Sequence, residues 1–171
     1  VVWLYDNYCL EKINKKLQDN EDVLFISMAQ FTGGKTLPCK EADYRDKYDA
    51  FQGWSGSCGK VIKKELATRP ECLYNEGTLK EDKNQHCRIC IYMKTFKCTK
   101  DIYYVWNREN PKSVTTLREK IYWGTSTIRQ YADTMQLYLS EKGKDEEIDR
   151  LMKRRLAMCE EEIKQGKDRQ Y

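Results

Sequence analysis

Eight cysteines set against a single histidine constrain this 171-residue chain more than any other feature. Cys9, Cys39, Cys58, Cys72, Cys87, Cys90, Cys98 and Cys159 are even in number and spread over the whole length. That pattern predicts a set of disulfides in a secreted, extracellular protein. The alternative is a reduced chain that uses its thiols as small buried hydrophobes. The chain opens at Val1, with no initiator Met and no basic and apolar leader, as a chain does after removal of a signal peptide. It contains no Asn-x-Ser/Thr, so a secreted form needs no N-glycan.

The lone histidine narrows the chemistry those cysteines could serve. His86-Cys87-Arg88-Ile89-Cys90 contains a Cys-x-x-Cys. A redox pair of that kind opens a helix, whose N-terminus lowers the thiol pKa. Here the alternation of Ile89, Ile91 and Met93 with Arg88, Cys90, Tyr92 and Lys94 has period two and predicts a strand over residues 88–98. A zinc site needs a second pair of ligands, and Cys72, His86 and Cys98 lie at irregular spacings. A staple from a strand to two different neighbours therefore leads, with zinc and redox behind it, and neither a metal nor a cofactor is expected.

Catalysis by the common routes finds little support. A Ser or Cys nucleophile needs a base, and His86 is the only histidine available. The 27 Asp and Glu are balanced by 31 Lys and Arg and read as solvated surface, including Glu146, Glu147, Glu160, Glu161 and Glu162 on helix faces. No carboxylate pair stands out as a glycosidase dyad. A non-enzymatic protein is the expectation.

The elements follow from periodicity. Tyr5, Cys9, Ile13 and Leu17 mark one face of a helix over residues 4–19. Residues 23–31 are an apolar run that ends in Thr32-Gly33-Gly34, which reads as a buried strand and a turn. Residues 38–59 are irregular, a short helix follows at 60–67, and residues 75–86 read as an exposed loop. Residues 102–106 are a second β-prone run. Asn110-Pro111-Lys112-Ser113 is a helix start, and Ser113 can cap it. Val114, Leu117, Ile121, Gly124, Ile128, Tyr131, Met135 and Tyr138 recur at helical spacing up to Gly143, and Ile148, Met152, Cys159 and Ile163 mark a last helix. The expected fold is α+β and predominantly helical, as one domain over residues 1–171. It comprises an N-terminal helix, a small antiparallel sheet and a C-terminal antiparallel helix pair, stapled by disulfides. No run approaches the ~20 apolar residues of a membrane span.

Three ligand classes fit. Between residues 88 and 129, nine basic residues against three acidic ones are interleaved with aromatic side chains. This suits an anionic ligand or an acidic protein face. Tyr92, Lys94, Lys97, Lys100, Tyr104, Trp106 and Arg108 are the candidate binding residues, and a protein partner is the leading expectation. Zinc-finger spacing and a basic zipper are both missing, so sequence-specific nucleic-acid binding is not expected. The second class is a carrier whose Tyr122, Trp123, Tyr131, Met135 and Tyr138 enclose a small hydrophobic or amphipathic ligand. The third is a nucleotide-binding enzyme. Ala29-Gln30-Phe31-Thr32-Gly33-Gly34-Lys35-Thr36 has the relaxed spacing of a phosphate loop, with Lys35 for the phosphates and Thr36 for magnesium. Pro38 and Cys39 follow where that loop's helix should begin.

Overall fold

The structure, a computed structural model, describes residues 2–17, 20–75, 81–110, 120–141 and 145–167. In chain order it comprises β1 (Val2–Leu4), α1 (Cys9–Lys16), β2 (Val23–Thr32), β3 (Lys35–Lys40), α2 (Lys47–Gln52), β4 (Lys60–Ile62) and α3 (Lys64–Ala67). These are followed by α4 (Glu81–Tyr92), β5 (Phe96–Asn107), α5 (Lys120–Glu141) and α6 (Glu146–Lys167). Single 3-10 turns at Ser57–Gly59 and Pro70–Cys72 complete it.

The strand with the longest apolar run organises the rest. β2 is buried from Val23 to Ala29 because both of its faces are covered. Val23 and Phe25 enter a large core with α2, α4, α5 and α6, while Leu24 and Ile26 enter a smaller one with Cys9, Ile13 and Tyr103 beneath α1. The alternation of side chains across a strand makes this division. Burying each such side chain is worth about 1.5–3 kcal/mol. Phe25 lies at the centre of the larger core, edge-on to Tyr44 at 5.0 Å and Phe96 at 5.7 Å.

The sheet is mixed, which corrects the expected antiparallel one. Its order is β1-β5-β2-β3, with β4 also on β2. β5 runs parallel to β2 from Phe96 to Asn107, and β1, β3 and β4 pair antiparallel. The parallel pairing requires a long crossover, and this contains the second correction. Residues 81–92 are helix α4 rather than a loop and a strand, and only from Phe96 does β5 begin. Every side chain from Asn84 to Tyr92 is buried, so the helix has no polar face to reveal a 3.6-residue period. Two of its polar residues, His86 and Arg88, find partners in the core instead. His86 Nε2 meets the Ala50 carbonyl at 2.9 Å, and Arg88 donates to Thr134 at 3.3 Å and to the Glu71 carbonyl at 3.2 Å.

The cysteines supply the third correction. Cys9, Cys39, Cys58, Cys72, Cys87, Cys90 and Cys98 are all free, and the side chain of Cys159 lies outside the described residues. Cys9 belongs to the core under α1, whereas Cys72, Cys87 and Cys90 belong to the core on the other side of the sheet. They act as small hydrophobes, and the staple set is replaced by core packing. Gly33 and Gly34, at φ 58° and 69°, form a two-residue hairpin turn from β2 into β3. Strand β3 thus stands where a phosphate loop would start a helix. The helix start at residues 111–119 and the Gly143 stop lie outside the described residues.

Candidate active site

Opposite β5, the edge of β2 is shared by two strands. β4 pairs with residues 23–25 and β3 with residues 28–32. The chain between α2 and β4, residues 53–59, is a tight loop built on glycines. A Cβ at Gly53 would run into the Tyr44 ring, and one at Gly56 or Gly59 into the Trp54 indole. Tyr44 Oη accepts the Trp54 N–H at 3.2 Å. Lys60, the first residue of β4, folds its side chain back and donates to the Ser55 carbonyl at 3.1 Å and the Gly56 carbonyl at 2.8 Å. The Ser57 and Tyr74 hydroxyls meet at 2.8 Å.

Lys60 is only 8% exposed, and burial lowers its pKa from 10.5 to about 8. Its charge acts on Asp82, which is half-buried in the first turn of α4. Burial, and then the neighbouring Glu81, push the Asp82 carboxyl above its ordinary value, while Lys60 pulls it back. A carboxylate with raised proton affinity and a cation in its field has the properties of a general base. The Tyr104 hydroxyl is hydrogen-bonded to Cys58, and burial raises its pKa, so it stays a phenol.

His86, one helical turn beyond Asp82, is fully buried, and burial holds its pKa well below the usual imidazole range. It is a neutral core residue. Burial likewise pushes the Cys87 thiol up to about 11, and Cys90 rises further, so neither is a thiolate of the redox kind. Among the described residues no group of three or more His, Cys, Asp or Glu side chains converges as a metal site would require.

The candidate binding residues are strung along β5 and its flanks. Tyr92 is buried at the end of α4, beneath the Arg69 guanidinium at 4.4 Å. Lys94 is exposed in the turn before β5. Lys97 lies 3.4 Å from Glu21, and Lys100 lies 2.7 Å from Glu41 and 3.6 Å from Asp43. Trp106 is half-buried, and Arg108 stacks on it at 4.8 Å. Tyr104 alone of the seven reaches the Cys58 loop. Asp82, Lys60 and Trp54 were not among the candidates. The available signals were a Lys placed between Gly59 and the apolar Val61-Ile62, and the acidic pair Glu81-Asp82 flanked by Lys80 and Lys83.

No protein-family model and no curated protein sequence matches the chain. Among solved structures, S. aureus TarS 1–349 in complex with UDP-GlcNAc matches with a TM-score of 0.64 at 13% identity, over 94% of this chain and 46% of that one. A second structure of S. aureus TarS 1–349 matches with a TM-score of 0.51 at 14% identity, over 96% and 53%. The chain therefore shares this fold and spans about half the length of the structures it matches. The expectation of a disulfide-stabilised, non-enzymatic binder of another protein is corrected on two findings. The described cysteines are free, and the fold is that of a protein solved with a nucleotide sugar. Lys35 and Thr36, the residues of the phosphate-loop expectation, are exposed on the β3 hairpin. No described helix is long and apolar enough to cross a membrane.

Proposed function

We propose that this chain belongs to an enzyme that transfers a sugar from a nucleoside-diphosphate sugar to an acceptor hydroxyl, with Asp82 as the general base. The observation that carries the reading is the desolvated Asp82 carboxylate held in the field of Lys60, on a fold shared with a protein that binds UDP-GlcNAc. In such a donor the anomeric carbon bears a diphosphate leaving group. The acceptor oxygen attacks that carbon, and its proton passes to the Asp82 carboxylate. The new C–O bond forms as the C–O bond to the diphosphate breaks, and the electron pair leaves on the diphosphate. A base on the face opposite the leaving group gives a single displacement with inversion. General-base catalysis of this kind contributes roughly 10²–10⁴-fold. Burial serves the step twice, since it raises the basicity of Asp82 and strengthens the electrostatic action of Lys60.

The test is Asp82→Asn, which keeps the shape of the side chain and removes the base. Transfer or hydrolysis of UDP-GlcNAc should fall by about 100-fold or more, with the thermal midpoint near that of the wild type. Unchanged turnover in Asp82→Asn would remove Asp82 from the mechanism.

A further inference from the structure

We infer that the cleft between the Pro70–Cys72 turn and α5 is a binding site for a small zwitterion of the α-amino-acid class, which sets its carboxylate on Arg88 and its ammonium on Asp133. The site is separate from the one proposed for sugar transfer and does not rest on that reading. The cleft encloses about 480 Å³ and is lined by Pro70, Glu71, Arg88, Asp133, Gln136 and Leu137. Arg88 comes from α4, and Asp133, Gln136 and Leu137 share one face of α5 at spacings of three and four. Arg88 lines this cleft although it is only 8% exposed. Its guanidinium donates from Nε to Thr134 Oγ1 at 3.3 Å and from Nη1 to the Glu71 carbonyl at 3.2 Å. Both acceptors are neutral, and among the described residues Arg88 forms no ion pair. A buried cation without a counter-ion is costly, so its charge points to an anionic group that comes from outside. The Thr134 hydroxyl donates in turn to Asn84 Oδ1, which fixes the guanidinium from behind. The N–H groups that these bonds leave over form a planar fork suited to a carboxylate.

Asp133 supplies the opposite charge. It is half-buried, directly precedes Thr134, and of the surrounding charges acts on Arg88 most strongly. Among the described residues it forms no ion pair, and its Oδ2 accepts from Asn75 Nδ2 at 3.3 Å. Glu71, the other carboxylate of the cleft, is already held by Arg69 at 3.3 Å. A lone anion on Arg88 would be repelled by Asp133, and a lone cation on Asp133 by Arg88. A molecule that carries both charges close together satisfies both residues at once. Pro70 and Leu137 offer apolar surface to a short aliphatic side chain.

NMR titration of the backbone amides of the intact protein tests this, with glycine, alanine and valine as probes, acetate as the lone anion and methylammonium as the lone cation. At least one amino acid should shift the amides of residues 71–72 and 133–137, with a Kd of about 1 mM or tighter. Acetate and methylammonium should each bind roughly tenfold more weakly or worse. Asp133→Asn keeps the shape of a half-buried side chain and removes its charge. It should weaken the amino acid about tenfold, while acetate binds no less tightly than before. Arg88→Met should abolish the binding of both. Should Arg88→Met fail to fold, Asp133→Asn decides the matter by the same readout. No response to any of the three amino acids, acetate binding as tightly as the best of them, or an undiminished response in Asp133→Asn would overturn the assignment.

Discussion

Asp82 carries its raised basicity within the field of Lys60, whose ammonium is fixed 2.8 Å from the Gly56 carbonyl. The two residues come from separate elements, the first turn of α4 and the first residue of β4. Each therefore tunes the other only in the folded chain, and this coupling sets the first prediction. Lys60 lowers the Asp82 pKa, so Lys60→Met should raise it. A general base works only when deprotonated, and the acidic limb of the pH–rate profile should move to higher pH in Lys60→Met. An acidic limb at the same pH would show that Lys60 does not act on the base.

Lys60 also couples folding to pH. Its pKa is about 8 in the folded state against 10.5 when free, so between those values the unfolded chain binds more protons. Stability from this group is lowest below pH 8 and rises toward pH 10.5. Cys87, raised to about 11, acts in the opposite sense over a range starting near 9, so the wild-type curve alone is ambiguous. The comparison with Lys60→Met cancels that contribution. Urea unfolding at a series of pH values should show the difference between the two proteins moving in favour of the wild type from pH 8 upward.

The thiols are free in two classes. Half-buried Cys39, Cys58 and Cys98 should react with an alkylating agent in the native protein, slowly for Cys39 and Cys98, whose pKa values burial raises. Buried Cys9, Cys72, Cys87 and Cys90 should react only after denaturation, with no reductant required. Intact mass read with and without reductant checks this. A label count that rises only on reduction would restore the disulfide framework.

Arg155 latches α6 to the rest of the core. Its guanidinium donates to Tyr131 Oη at 2.9 Å and to the Phe51 carbonyl, and lies 5.4 Å over the Phe51 ring. Arg155→Met keeps the aliphatic stem and deletes the donors to Tyr131 and to the Phe51 carbonyl. The expected loss is about 1–3 kcal/mol, read as a lower midpoint in chemical denaturation.

The Gly33-Gly34 hairpin makes no phosphate loop. Lys35→Ala should leave UDP-GlcNAc affinity unchanged in calorimetric titration, since Lys35 is exposed on edge strand β3. A large loss of affinity would return the nucleotide to that turn.

Local pattern determined what depends on neighbours in the chain. The β2 run, with both faces apolar, and the glycine pair after it specify a buried strand and a turn wherever they fold, and the structure has them there. In α1, Cys9 and Ile13 are buried as their four-residue spacing implies, although the helix begins only at Cys9 and Val2–Leu4 join the sheet instead. Tertiary structure alone decided the rest. α4 is enclosed on every side, so its period is erased, and the alternation at residues 88–94 imitates a strand. The parallel pairing of β5 with β2 spans more than seventy residues and leaves no local trace. Eight cysteines are as compatible with a core as with disulfides until their distances are known. Asp82 was one carboxylate among 27, and Lys60 one cation among 31. Only the fold withdraws both from water and sets them in one field, which turns two ordinary surface residue types into a candidate active site.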